Sequence, residues 1–235
     1  MAQVNRVRRT RRAACQVRYA PDEKLMRRHG AGPLLPVILL LGILSAGCAG
    51  ASDAARAAAQ IAERPTWAPG DSWTYRGRGQ SGEYVVKRTV LRAGAFEGWP
   101  AYEVQAGDVR EWYTKDLGYI ARLRGDRMEQ RASPPEDWRW PLMVGRSWSS
   151  TVTWVKTGEQ EERRSLTAIW LVEDYEDVKT PAGTFKTFKA VRREFESGAV
   201  YEFWYSPAVK GWVKLRGTRA PGDAYEEELT AYEVR

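Results

Sequence analysis

The sequence predicts an all-β protein, with about ten to twelve strands in a single antiparallel domain shaped as a barrel or a strongly curved half-barrel. From Trp67 onward, short runs rich in Val, Thr, Tyr, Trp and Phe alternate with breakers that contain Gly, Pro or Asp. This pattern is typical of antiparallel sheets. Helical periodicity is missing from the same stretch. The roughly 170 residues that follow Trp67 are enough to enclose one sizeable core.

Residues 1–47 carry the whole excess of positive charge. They hold nine Arg or Lys and two acidic residues, and the net charge of all 235 residues is +7, so the remainder is neutral. The single histidine, His29, also lies in this segment. A neutral domain has no electrostatic basis for binding nucleic acid. Without histidine, it also lacks a Ser-His-Asp triad and the common zinc sites.

Residues 26–47 have the layout of a bacterial export signal. A basic pair precedes the uncharged run LLPVILLLGILSAG at 34–47, which is shorter than the ~20 residues of a bilayer span. Small residues end this run directly before Cys48, as in the lipobox of bacterial lipoproteins, although Ser45 stands where leucine is usual. We therefore predict that Cys48 is lipidated and anchors the protein to a membrane. Simple secretion after cleavage behind Ala51 is the alternative.

The segments on either side of the signal have simpler interpretations. The basic extension 1–25 precedes a signal of ordinary length that begins at Met26, so we interpret it as an artefact of the assigned start codon. A genuine long basic region is the alternative. Ala49 is not an inner-membrane retention signal, by resemblance to lipoprotein sorting in Gram-negative bacteria, which favours the periplasmic face of the outer membrane. Residues 48–66, with the lipidated cysteine, are Ala-rich and predict a tether, or a short helix at 52–64.

Patterning places the strands of the β domain, residues 67–235, in two halves. In a half at about 67–132, strands are predicted near 72–78, 83–92, 100–107, 109–115, 118–124 and 126–131. In a half at about 140–235, strands are predicted near 147–156, 163–176, 184–196, 199–206, 211–218 and 224–234. The Pro-rich stretch at 133–141 separates the halves, and Thr-Pro-Ala-Gly at 180–183 is a clear hairpin signal.

Three short segments recur in the same order in the two halves. GDSW at 70–73 recurs as GRSW at 145–148, AGAF at 93–96 as AGTF at 182–185, and EWYT at 111–114 as FWYS at 203–206. The recurrence predicts a tandem arrangement of two similar sheet halves. Chance recurrence in a Trp-rich β protein is the alternative, and the repeat carries no information about chemistry.

Three segments of the second half resemble a known family. They are VKTPAGTFKTFKAV at 178–191, EFWYSPAVKGWVKL at 202–215 and PLMVGRSW at 141–148. They resemble the exported bacterial proteins grouped as domain of unknown function 3108 and their relatives, over about residues 140–218. The resemblance implies a β-rich envelope protein, akin to the half-barrels that carry lipids or lipoproteins. It implies no catalytic residues.

Motifs for enzymatic chemistry have structural explanations in this sequence. Gly-x-Gly-x-x-Gly at 77–82 matches a dinucleotide fingerprint, but that loop must open a helix, and here a strand follows, so we expect a hairpin. The acidic clusters at 173–177 and 226–228 are interpreted as solvated turn and edge residues, because neighbouring side chains on a strand point to opposite faces. We predict no catalytic residue, metal site or cofactor.

The eleven tryptophans all follow residue 66. Most are expected in the core, because aromatic residues favour strands and bury large areas. Trp138 and Trp140 flank an arginine in a loop with Pro and Asp, so we expect them to be partly exposed and to contact a ligand or partner. The predicted function is a non-enzymatic envelope lipoprotein that binds a lipid, an acyl chain or an envelope protein. A carboxylate-dependent hydrolase of cell-wall glycan and a purely structural lipoprotein are the alternatives.

Overall fold

Twelve antiparallel strands close into a barrel in which each strand pairs with its neighbours in the chain and β1 pairs with β12. The computed structural model describes residues 60–136, 138–158, 160–218 and 224–235. The strands are β1 (Ser72–Gly79), β2 (Gly82–Phe96), β3 (Trp99–Ala106), β4 (Val109–Thr114), β5 (Tyr119–Arg124), β6 (Arg127–Glu136), β7 (Ser147–Thr157), β8 (Glu161–Thr180), β9 (Gly183–Glu194), β10 (Val200–Ser206), β11 (Gly211–Thr218) and β12 (Ala224–Glu233). A 3₁₀ turn, Pro207–Val209, joins β10 to β11. The predicted all-β antiparallel fold is confirmed, in its closed form.

Each of the strands predicted from the sequence is present, and three of them are longer than predicted. β2 continues to Phe96, β8 extends from Glu161 to Thr180, and β6 continues to Glu136 through two prolines. The prolines do not break the extended chain, but they cannot donate to a neighbouring strand. Accordingly, the pairing of β6 with β7 ends at Ser133. The expectations for the extension 1–25, the signal 26–47, and Cys48 lie outside the described residues.

One end of the barrel, here called the closed end, is filled by segments that lie outside the strands. The indole of Trp67 donates to the carbonyl of Lys210 (2.7 Å), and that of Trp73 donates to the carbonyl of Val209 (2.7 Å). The two indole rings lie 5.0 Å apart. Their polar edges are satisfied by the backbone around the 3₁₀ turn, so they can fill the end of the barrel without an unpaired donor.

The packed part of the domain begins upstream of Trp67. Ala62 exchanges two backbone hydrogen bonds with Leu142 (2.9 and 2.8 Å), and both residues are buried. This bridge ties the segment before β1 to the segment between β6 and β7. Among the described residues, no helix is long and apolar enough to cross a membrane.

The two halves of the barrel begin with the same backbone arrangement. The Gly70 N–H donates to the carbonyl of Val90 (2.9 Å), and the Gly145 N–H donates to that of Val172 (2.9 Å). In each half, the valine N–H donates back to the residue after the glycine (2.9 Å in both). Both glycines have positive φ, +93° and +86°, a conformation that side chains disfavour. The GDSW and GRSW segments therefore occupy equivalent positions.

The strand irregularities also match between the halves. The register shifts between Trp112 and Tyr113 in β4, and between Trp204 and Tyr205 in β10. EWYT and FWYS are therefore equivalent, six strands apart. The remaining recurrence is not equivalent, because residues 93–96 end β2, whereas residues 182–185 begin in the turn before β9.

Leu142 provides a test of how strongly the bridge segments hold the closed end. Its side chain has no exposed surface, so Leu142→Ala leaves a cavity and lowers the free energy of unfolding by about 2–5 kcal/mol. Chemical denaturation of the two proteins measures this difference. The control is Ile61→Ala, because Ile61 lies next to the bridge but is 54% exposed, and it changes stability by about 0.5 kcal/mol or less. Equal effects of the two substitutions would contradict the structure of the closed end.

Candidate functional site: the cavity of the barrel

The lumen of the barrel contains a cavity of about 830 Å³. This volume lies within the range of roughly 300–1,000 Å³ that is usual for small-molecule sites. The cavity is bounded by the packed closed end and extends toward the turns at the opposite end, here called the open end. Lys156, Glu162 and Arg164 line it there and are exposed. The cavity therefore reaches solvent between the turns of the open end.

One wall of the cavity, formed by β7, β8, β10 and the segment after β6, is aromatic. Its members are Trp138, Trp154, Trp170 and Phe203. The rings of Trp138 and Trp170 lie 5.4 Å apart, and Phe203 lies 5.4 Å from Trp138 and 5.3 Å from Trp170. These separations are those of packed aromatic pairs. We call these four residues the aromatic wall.

The two tryptophans singled out in the sequence lie at different depths. Trp138 belongs to the aromatic wall and is only 6% exposed, so the expectation that it is partly exposed is wrong. The segment after β6 turns into the barrel and packs Trp138 against the rings of β8 and β10. Trp140 is half-buried behind it, stacked at 6.1 Å, and its indole donates to the carbonyl of Asp116 (3.1 Å). Of the two, only Trp138 lines the cavity.

The opposite side of the lumen holds a buried network of charges on β2, β4, β5 and β12. Arg88 donates to Glu227 (3.0 Å) and to Glu111 (3.4 Å). Arg122 donates to the other oxygen of Glu111 (2.6 Å), and the Tyr113 hydroxyl also donates to Glu111 (2.8 Å). The two arginines and the two carboxylates balance in charge. We call the set Arg88, Glu111, Arg122 and Glu227 the ionic wall.

The electrostatics of the ionic wall keep Glu111 and Arg88 charged. Burial raises the pKa of the Glu111 carboxyl, but Arg88 and Arg122 outweigh burial and hold this pKa below its ordinary value of 4.5. Burial lowers the pKa of Arg88, but the carboxylates of Glu227 and Glu111 outweigh it and raise this pKa well above its ordinary value. The Tyr113 hydroxyl, buried beside Glu111, has a raised pKa and remains a donor.

Glu227 lies in the acidic cluster at 226–228 that the sequence predicts to be solvated, and for this residue the prediction is wrong. Its side chain is buried, because the alternation of β12 turns it into the lumen. Its neighbours Glu226 and Glu228 point outward and pair with Lys214 on the surface. The hairpin predicted at 77–82 is confirmed, since Gly79 pairs with Gly82 in the turn between β1 and β2.

A second charged group lies on the side of the aromatic wall, because Arg192 is on β9, between β8 and β10. Arg192 donates to Glu136 (2.8 Å) and to Glu194, and its guanidinium lies 5.8 Å from the ring of Trp170. Ser150 donates to Glu136 (2.9 Å). Burial lowers the pKa of Arg192, but the two carboxylates outweigh it and raise this pKa. Each of these charges is therefore held by an opposite charge within the lumen.

The arrangement is better suited to binding than to acid–base chemistry. Glu111, Glu136 and Glu194 line the cavity, and each accepts a hydrogen bond from an arginine. A general acid requires a carboxyl group that stays protonated near neutral pH, whereas an arginine partner stabilises the ionised form. Among residues 60–136, 138–158, 160–218 and 224–235, no group of three or more His, Cys, Asp or Glu has the arrangement of a metal site.

Comparison with known proteins yields structural likenesses only. No family model and no curated protein matches the chain. A "putative lipoprotein" from Parabacteroides distasonis ATCC 8503 is similar, with a TM-score of 0.45, 15% identity, and coverage of 74% of this chain and 100% of that one. A "putative exported protein with YmcC-like fold" from Bacteroides fragilis NCTC 9343 is also similar, with a TM-score of 0.47, 14% identity, and coverage of 73% of this chain and 99% of that one.

The "hypothetical lipoprotein YmcC" from Escherichia coli (K12) is also similar, with a TM-score of 0.36, 12% identity, and coverage of 76% of this chain and 95% of that one. All three TM-scores lie below 0.5, so these likenesses assign neither a family nor a function to the chain. The resemblance to domain of unknown function 3108 likewise remains a resemblance, because no family model matches.

Glu111 provides a test of the ionic wall. Glu111→Gln leaves Arg88 and Arg122 without their shared carboxylate, so the free energy of unfolding at neutral pH falls by about 3–5 kcal/mol. The folded pKa of Glu111 is depressed, so its contribution is complete above about pH 5 and is lost as the pH falls through the folded pKa. The difference between the two proteins in chemical denaturation therefore narrows in acid. The control Glu233→Gln, on the exposed end of β12, leaves stability almost unchanged. A difference independent of pH would count against the assigned pairing.

Proposed function

We propose that this protein is a non-enzymatic lipoprotein of the bacterial cell envelope, and that its barrel binds a lipid or an acyl chain inside the cavity. The observation that carries this proposal is the 830 Å³ cavity with its aromatic wall of Trp138, Trp154, Trp170 and Phe203. The parts of these rings that face the cavity offer an acyl chain an apolar surface. Burial of the chain there contributes roughly 25 cal/mol for each Å² removed from water.

The two-sided lumen supports an amphipathic ligand rather than a purely apolar one. The aromatic wall is formed by the second half of the barrel and the segment that leads into it, whereas Arg88, Glu111 and Arg122 face the cavity from the first half. The group around Arg192 adds charge beside the aromatic wall. A ligand with one apolar part and one polar part can contact both sides without leaving a polar group unpaired. The closed end is packed, so such a ligand enters through the open end.

The hydrolase alternative receives less support from the same residues. A glycosidase uses two carboxyl groups across a cleft, one of which must be held protonated. The pKa of the Glu111 carboxyl is lowered by its arginines, which is the opposite of what a general acid needs. Glu136 and Glu194 share Arg192. Binding without catalysis is therefore the function that the geometry favours.

The proposed location depends on the sequence. The basic pair, the apolar run at 34–47 and the small residues before Cys48 together indicate export followed by lipidation. Residues 48–60 then join the anchor to the barrel. With Ala49 after the cysteine, we place the protein on the periplasmic face of the outer membrane, where free lipids and lipidated proteins are at hand.

Filling the cavity tests the binding proposal. Leu166 lines the cavity and is half-buried, so Leu166→Trp occupies space that an acyl chain would need. We expect the otherwise unaltered protein to copurify with lipid and to change its Trp fluorescence on addition of oleate, and Leu166→Trp to lose most of both signals. Mass spectrometry of the extracted lipids and fluorescence titration measure them.

The matched control is Ile169→Trp, on the outer face of the same strand and 44% exposed. It adds the same side chain without entering the lumen, so it retains both signals. Folding of both variants is checked by far-UV circular dichroism. Absence of bound lipid together with no response to oleate in the unaltered protein would refute the binding function.

The anchor is tested separately from the cavity. Cys48→Ser removes the only cysteine that follows the apolar run, so incorporation of labelled fatty acid into the protein should be abolished. Ser52→Ala is the control, because Ser52 follows the cysteine without being the acceptor, and labelling should persist. Labelling of the Cys48→Ser protein would refute lipidation at this position.

A further inference from the structure

Three cations line the cavity at its open end, and we call Arg122, Lys156 and Arg164 the cationic rim. They lie on the neighbouring strands β5, β7 and β8. Gln130 of β6 pairs with Arg122 on one side and with Lys156 on the other, so these residues form a row across the sheet. Arg164 lies directly opposite Trp154, a member of the aromatic wall. The rim is therefore continuous with the apolar surface below it.

Two cations of the rim have no carboxylate partner among the residues that the structure describes. Arg122 pairs with Glu111 through one terminal nitrogen. Within the described ranges of the chain, no carboxylate lies within 4.0 Å of the side-chain nitrogens of Lys156 or Arg164. One carboxylate, Glu162, also lines this part of the cavity and lies opposite Lys156 in the strand register, itself outside ion-pair distance. In the described part of the rim, two unpaired cations, Lys156 and Arg164, therefore accompany one unpaired carboxylate, Glu162.

Some buried polar atoms of the described residues lack a hydrogen-bond partner. Three belong to side chains that line the cavity: the hydroxyl of Tyr119, Nε of Arg122 and the indole nitrogen of Trp212. The two nitrogens only donate, and the hydroxyl can donate. Leaving such donors unsatisfied costs about 1–3 kcal/mol each. These three atoms each have less than 1 Å² of accessible surface, so a headgroup reaches the exposed Lys156 and Arg164 rather than these donors.

We propose that the ligand of the barrel is an anionic amphiphile, whose acyl chain lies on the aromatic wall and whose acidic headgroup is bound by Arg122, Lys156 and Arg164. This inference rests on the proposed binding function and names its ligand class. A carboxylate or a phosphate headgroup supplies the required negative charge and several acceptor oxygens. Charge-assisted hydrogen bonds of this kind are stronger than neutral ones. Because Arg164 adjoins Trp154, one molecule with a short link between headgroup and chain reaches both surfaces.

The test compares ligands that share a chain and differ in headgroup charge. Oleate and 1-monooleoylglycerol carry the same chain, with a charged and a neutral headgroup. Titration calorimetry below the micellar concentration measures their affinities for the full chain with Cys48→Ser. We expect oleate to bind about tenfold or more tightly. Oleoyl lysophosphatidylglycerol and oleoyl lysophosphatidylcholine give the corresponding comparison for a phosphate headgroup, and the pair with the larger ratio shows whether the rim prefers a carboxylate or a phosphate.

Substitutions of rim residues test whether the rim causes the preference for a charged headgroup. The double variant Lys156→Gln and Arg164→Gln should lower the affinity for oleate about tenfold or more and leave the affinity for 1-monooleoylglycerol unchanged. The control removes the same charge from the outer surface with Arg76→Gln and Lys87→Gln, which lie exposed on β1 and β2. The control protein should bind both ligands as before.

The outcomes separate this inference from the function on which it rests. Equal binding of charged and neutral ligands, or a double variant that binds oleate as tightly as the control does, overturns the headgroup assignment and leaves the lipid-binding function standing. Failure of every ligand to bind overturns both. If the control variant also loses the preference for oleate, the preference results from the net charge of the protein, and the role of the rim is overturned.

Discussion

A ring of twelve strands encloses more space than its inward side chains fill, and the other features of this domain depend on that constraint. At the closed end, the surplus space is occupied by Trp67, Trp73 and the segments around Leu142 and Val209. At the open end, no comparable segment enters from the described residues. The unfilled remainder is the cavity, so the site follows from strand number and from the asymmetry between the two ends.

A cavity inside a barrel makes buried charges unusually consequential. Removing an ion from water costs several kcal/mol, and a partner at hydrogen-bond distance is needed to offset this cost. The domain meets this condition for Arg88, Glu111 and Arg192, each of which has an opposite charge within 3.4 Å. Apolar residues of similar volume would fill the same positions at lower cost. The charges retained in the lumen are therefore not explained by stability alone, and they fit the proposed binding function.

The strands were predictable because each one alternates apolar and polar residues between turn signals, as in Trp73-Thr74-Tyr75 of β1. Closure was not predictable, because the pairing of β1 with β12 joins residues about 150 positions apart, and no local pattern records it. The charged residues that face the lumen can be recognised only weakly in the sequence, from their place in the alternation of each strand. Arg88 lies on the same face of β2 as Tyr84 and Val86, which is the face toward the lumen. Glu227 likewise lies on the inward face of β12. Alternation alone does not reveal which carboxylate meets which arginine across the lumen.

The two halves share a scaffold but line the lumen differently. Val90 and Val172 make the same backbone bonds to their preceding turns, yet the residue two places before them is Arg88 in one half and Trp170 in the other. Trp112 and Trp204 precede the same register shift, and the residues before them are Glu111 and Phe203. At both matched pairs the first half presents a charge and the second half an aromatic ring. Backbone bonds and bulges constrain the outward and turn residues, whereas a lumen with unfilled space leaves the inward residues free to differ. At these two pairs of positions, the contrast between the ionic and the aromatic wall is thus a difference between equivalent backbone positions.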